Sequence, residues 1–217
     1  MKIKNIIFDL GGILLNIDYQ KTIAAFERLG ISNFNQQYSQ FQQSDIFDRL
    51  ETGKTTPSEF VAAIKQLLSE PNKVSDAEII AAWNAMLLDF PTGNFDFLQG
   101  CRQNYRVFLL SNTNKIHYEN YIKYVDNIYG RESFEAAFEK CYYSHEIGRR
   151  KPLKETYQWV LKDAGINAGE TLFIEDTLPN IDGAKAVGIQ TFHKTADKSW
   201  QDVVSAYGLN LPHFPQK

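Results

Sequence analysis

Apolar residues recur along this chain with two different periods. Ile3 to Phe8 is a short, β-branched apolar run of strand length that stops at Asp9-Leu10-Gly11-Gly12. From Asn16 to Phe90 the spacing is helical, and it predicts helices over Tyr19–Leu29, Asn35–Leu50, Pro57–Leu68 and Ser75–Leu87. Thr56 before Pro57 reads as an N-cap, and Ser75 with Glu78 as a capping box. From Pro91 onward strands and helices alternate. Arg106–Leu110, Lys140–Tyr143, Thr171–Ile174 and Ile189–Phe192 read as strands. Lys115–Val125, Lys154–Ala164, Asn180–Val187 and Ser199–Tyr207 read as helices, with Gly188 closing the third.

Strands alternating with helices predict an α/β fold, a Rossmann-like doubly wound parallel sheet. The first strand joins that sheet, so the helical stretch is an insertion. The expected division is an α/β core of residues 1–15 and 91–217 with an all-helical cap of residues 16–90. An insertion leaving from the strand end can fold back over it as a lid. Residues Leu211 to Lys217, with Pro212 and Pro215, read as a surface-docked or frayed tail.

Composition narrows the partners. A net charge of −3 and the lack of a polybasic tract argue against nucleic acid or an anionic membrane. No apolar run approaches the ~20 residues of a membrane span, and the amino terminus leaves no room for a signal peptide. Cys101 and Cys141 form no ligand pattern and read as two buried thiols in a reducing, cytoplasmic setting. The oligomeric state is not readable.

Four polar groups fall at strand ends or just beyond: Asp9, Ser111-Asn112, Lys151 and Glu175-Asp176. Singly, each has a plain structural reading as a turn former, helix cap or surface charge. Together they offer a carboxylate nucleophile, a hydroxyl with a backbone N–H, a cation, and hard oxygen ligands suited to Mg²⁺.

These segments resemble the motifs of the haloacid-dehalogenase-like hydrolase superfamily, in its helical-cap branch. The first is Ile6-Ile7-Phe8-Asp9-Leu10-Gly11-Gly12-Ile13-Leu14 and the second Leu109-Leu110-Ser111-Asn112-Thr113-Asn114. Gly148-Arg149-Arg150-Lys151-Pro152 follows, and then Phe173-Ile174-Glu175-Asp176 with Asn180-Ile181-Asp182-Gly183-Ala184. The Ser-Asn-Thr-Asn and Asp-Leu-Gly forms are similar to those of glucose-1-phosphate phosphatase-type members. The resemblance implies a Mg²⁺-dependent phosphomonoester hydrolase acting on a small phosphate ester, with a sugar phosphate favoured. It implies Asp9 as nucleophile, and Lys151 paired with Asp9 and the phosphate. Ser111 and the Asn112 N–H would bind phosphate. Asp9, the Gly11 carbonyl, Asp176 and, directly or through water, Glu175 would hold the metal.

Gly11 departs from the pattern, since phosphatases of the superfamily usually carry a second Asp there as general acid and base. That loss, typically ~10²–10⁴ in rate, leaves open a catalytically weak protein that binds a phosphorylated ligand or partner. A metal-independent dehalogenase is a further alternative, against which the Glu175-Asp176 pair argues. In the cap, Phe47 to Lys54 reads as a loop between helices, where Arg49 and Lys54 can meet anions and Glu51 sugar hydroxyls, or as a charged helix end. Tyr19, Phe26, Phe41, Phe47 and Trp83 read as cap core. Asp18 reads as a helix-dipole partner, and His117 and His145 as structural or leaving-group contacts.

Overall fold

A computed structural model describes residues 2–31, 34 and 45–211. Five parallel strands lie in the order β3-β2-β1-β4-β5, where β1 is Asn5–Phe8, β2 Arg106–Ser111, β3 Lys140–Tyr143, β4 Thr171–Glu175 and β5 Gln190–His193. The fold is α/β as the alternation predicts. β1 is central and wholly buried, which explains its unbroken apolar sequence. Its registers, Phe8 beside Leu109 on β2 and Ile174 on β4, bring Asp9 level with Glu175. The chain runs outward through β2 and β3, then crosses to β4 on the far side of β1, and such a reversal opens a crevice at the strands' carboxyl ends.

Side chains alternate across the sheet and build a core on each face. Phe8, Leu109 and Ile174 pack with Phe97, Val125, Trp200 and Val203; Ile7, Phe108 and Phe173 pack with Tyr157, Val160 and Ala184. A third cluster joins Phe26, Phe34, Phe47, Phe60, Ile79 and Trp83. It is built from α1 (Tyr19–Arg28), α2 (Asp45–Glu51), α3 (Pro57–Lys65) and α4 (Asp76–Asn84). Thr56 and Ser75 form the expected capping boxes on α3 and α4. The chain enters and leaves this block through paired extended segments. Asn16 N–H donates to the Asp89 carbonyl and Leu88 N–H to the Asn16 carbonyl, both at 2.9 Å.

The structure corrects several element readings. Helix α5, Thr92–Arg102, has no counterpart in the sequence reading, because Pro91, Gly93 and Gly100 resemble loop punctuation. Its buried Phe97, Leu98 and Cys101 nevertheless fall at helical spacing. Helix α6, Lys115–Tyr129, outruns its predicted end, and a short α7, Arg131–Glu135, follows it. Helices α8 (Ser144–Ile147), α9 (Lys154–Ala164), α10 (Leu178–Lys185) and α11 (Trp200–Tyr207) complete the core. Most of the predicted Asn35–Leu50 helix, Phe41 within it, and the tail beyond Leu211 lie outside the described residues. Phe47 to Leu50 belong to α2, so the loop is shorter than expected. Cys101 is buried and Cys141 only partly so. No described helix is long and apolar enough to cross a membrane.

Candidate active site

Lys151 is fully buried, and its ammonium lies 2.7 Å from Asp9 Oδ1 and 2.7 Å from Glu175 Oε2. Ligand oxygens of Asp9, Glu175 and Asp176 all lie within 4.8 Å of one another. The strand ends thus bring together three of the four predicted clusters. Ser111, at the end of β2, lines the same cavity.

The carboxylates differ in how they are held. Burial opposes ionisation of Glu175, but Lys151 and hydrogen bonds outweigh it, so its carboxyl titrates below the ordinary value. Glu175 Oε2 accepts from Lys151 Nζ and from Asn180 Nδ2 at 3.0 Å, and Oε1 from the N–H groups of Asp176 and Thr177 at 3.1 and 3.0 Å. Asp9 is pushed well up by burial and then by Glu175, with Lys151 working the other way. Burial and then Glu175 raise Asp176 to about 7. Three carboxylates face one ammonium, so two negative charges stay uncompensated when all are ionised. The donor set is all oxygen and compact. Both features fit Mg²⁺, a hard divalent cation that would offset that charge.

Asn112 takes a part that the sequence did not disclose. Its amide Nδ2 donates to the Lys151 carbonyl at 3.0 Å, and its Oδ1 accepts from the Lys151 N–H at 2.9 Å. This pair ties the β2 loop to the lysine thirty-nine positions away. Gly12, at φ +75°, is required by close approach, because a side-chain carbon there would lie 2.1 Å from Asp176 Oδ2. At Gly11 a side-chain carbon would meet Ile17 Cδ1 at 3.2 Å, so Ile17 crowds the place where the superfamily usually carries its second Asp.

A cavity of about 200 Å³ extends from these groups toward the helical block, where Ile17, Tyr19, Glu51, Met86 and Leu87 line it. Phe26, Phe47 and Trp83 lie in the block's core as expected, and Tyr19 packs against that core while also reaching this wall. Arg49 and Lys54 are exposed and outside the lining. Arg150 spans to the block instead, with Nη1 2.6 Å from Asp48 Oδ1 and Nε 3.1 Å from Glu51 Oε2. Asp18 caps α1 by accepting from the Gln20 N–H, and it does not line the cavity. Nor does His145, whereas His117 does.

A buried lysine between carboxylates, at the carboxyl edge of a doubly wound parallel sheet, defines a hydrolytic site for anionic esters. The chain belongs to the haloacid dehalogenase-like hydrolases, whose family model matches residues 3–188. It is 31% identical over 199 residues to a D-ribitol-5-phosphate phosphatase of Bacteroides thetaiotaomicron, covering 92% of this chain and 95% of that one. A solved family enzyme from the same organism, in complex with magnesium and inorganic phosphate, is 39% identical with a TM-score of 0.80. The match covers 93% of this chain and 98% of that one. A family structure from Porphyromonas gingivalis is 26% identical with a TM-score of 0.83, over 95% and 98% of the two chains. A dehalogenase structure at 16% identity and a TM-score of 0.57, over 87% of this chain and 83% of that one, shares the fold alone. Site and relatives together put the chain among the family's phosphatases.

Proposed function

We propose that the protein hydrolyses a small polyhydroxylated phosphate monoester with the help of Mg²⁺, through a phosphorylated Asp9. The observation that carries this reading is Asp9 held at 2.7 Å by the buried Lys151 beside two further carboxylates. The relative named for D-ribitol 5-phosphate supports a polyol or sugar phosphate. The cavity, at about 200 Å³, lies below the ~300–1,000 Å³ typical of drug-sized ligand sites and favours a compact substrate over a nucleotide.

In this mechanism the Asp9 carboxylate attacks phosphorus and the ester P–O bond breaks, releasing the alcohol, which takes its proton from water. A second water then attacks the phosphorus of the aspartyl-phosphate, returning the Asp9 carboxylate and inorganic phosphate. Lys151 orients Asp9 and counters charge on the phosphoryl oxygens, while Ser111 and the Asn112 N–H bind those oxygens. Magnesium would be held by Asp9, the Gly11 carbonyl and Asp176, and it would supply further neutralisation of the phosphoryl charge. Glu175, with both oxygens already bonded, would reach the ion through water. Residues 16–90 act as the cap over a core of residues 1–15 and 91–217, and Arg150 latches the two.

Phosphate release from D-ribitol 5-phosphate, D-ribose 5-phosphate, glucose 1-phosphate and AMP, with MgCl₂ or with EDTA, tests the reading. Turnover of a polyol or sugar phosphate that EDTA abolishes is expected. Turnover that persists in EDTA, or preference for AMP, would overturn it.

A further inference from the structure

His117 is an unusually well-fixed residue on the cavity wall. It sits in the first turn of α6, with its own N–H donating to Asn114 Oδ1 at 3.0 Å. Its ring stacks on Trp83, centroids 4.7 Å apart and planes 14° apart. Nδ1 lies 2.9 Å from Asn84 Oδ1, an oxygen that can only accept, so Nδ1 carries the proton and Nε2 the lone pair. Burial lowers the imidazole's pKa to about 3, so the ring is neutral at any working pH. Trp83 and Asn84 belong to α4 of the inserted block and Asn114 caps α6 of the core, so the ring's place is set from both sides before any ligand arrives.

Such a ring cannot serve as the proton donor that Gly11 lacks, because a neutral imidazole bonded through Nδ1–H has only a lone pair at Nε2. That lone pair also repels phosphoryl oxygens, which leaves the alcohol portion of the ester as its partner. We infer that His117 Nε2 accepts a hydrogen bond from a hydroxyl of the substrate's polyol portion, and so selects hydroxylated phosphate esters over ones whose alcohol portion carries no hydroxyl. This inference rests on the phosphatase reading and assigns a further part of the same cavity's wall. A site built to bond a hydroxyl discriminates strongly against an analogue without one, since the buried acceptor is then left unpaired.

The test compares kcat/KM for D-ribitol 5-phosphate with that for p-nitrophenyl phosphate in two variants. His117→Asn keeps a donor near Asn84 but removes the acceptor at the Nε2 position; His117→Gln keeps an acceptor there. The ratio of the two kcat/KM values is expected to fall about tenfold in His117→Asn, chiefly through KM, and to return to within about threefold of wild type in His117→Gln. A ratio that moves less than about threefold in His117→Asn, or equally in both variants, overturns the inference, because a structural role lowers both substrates together. Wild-type protein that turns over neither ester overturns the phosphatase reading itself, and this inference with it.

Discussion

Replacing Asn112 with Ala removes the side chain that bonds both the backbone N–H and the backbone carbonyl of Lys151. Two hydrogen bonds are lost, at 3.0 and 2.9 Å, and the Lys151 backbone groups are left in a partly buried place. At ~0.5–1.5 kcal/mol each, the loss is about 1–3 kcal/mol. For a chain of this size that lowers Tm by roughly 2–4 °C per kcal/mol. The larger effect is on activity. Lys151 Nζ stands 2.7 Å from Asp9 Oδ1, and freeing its backbone lets the ammonium drift. A misplacement of about 1 Å at a reacting centre costs on the order of 10²-fold in rate. Asn112→Asp sharpens the test. It keeps an acceptor for the Lys151 N–H but sets a carboxylate oxygen against the Lys151 carbonyl, and it adds negative charge to a site that already holds three carboxylates. Its kcat/KM is expected to fall below that of Asn112→Ala even if its Tm is higher. Thermal unfolding and initial-rate phosphate release on the same preparations read both quantities. An Asn112→Ala variant within twofold of wild-type kcat/KM would refute the claim that this side chain sets the lysine.

Other consequences are equally concrete. The His117 pKa is lowered to about 3 by burial, so below its ordinary value the unfolded chain takes up a proton that the folded chain refuses. Stability therefore falls as pH drops from ~6.5 toward 3, by up to ~1.4 kcal/mol per pH unit. His117→Gln removes this contribution, and urea unfolding should show the variant gaining about 2–3 kcal/mol on wild type between pH 7 and pH 4.5; a pH-independent difference would count against a buried neutral ring. Mg²⁺ is expected to raise the Tm of wild type, and Gly12→Ala, which drives a carbon to 2.1 Å from Asp176 Oδ2, should abolish that rise. An undiminished rise would remove Asp176 from the metal site.

Much of this site is legible before any coordinates, for a physical reason. Asp9 and Glu175-Asp176 each end an apolar strand, and the parallel sheet converts that local punctuation into proximity. Lys151 is legible as a candidate cation only jointly with the other clusters and through its motif, because nothing local marks a lysine beside Pro152 as fully buried. What escapes the sequence depends on partners distant along the chain. The Asn112 grip on Lys151 is one case, the Arg150 bridge to Asp48 and Glu51 another, and the seat of His117 against Trp83 and Asn84 a third. Each side chain alone reads as a cap, a surface charge or a spare histidine. Helix α5 escapes in a different way, because Gly93 and Gly100 within it are residues that local rules read as loop.

The central claim is that Asp9 is the nucleophile. Mixing the protein with Mg²⁺ and ³²P-labelled D-ribitol 5-phosphate, quenching in acid within one turnover and mapping the labelled peptide tests it directly. The account predicts label on the peptide that contains Asp9, and neither label nor turnover in Asp9→Asn. Full turnover in Asp9→Asn, or label on another residue, would contradict it.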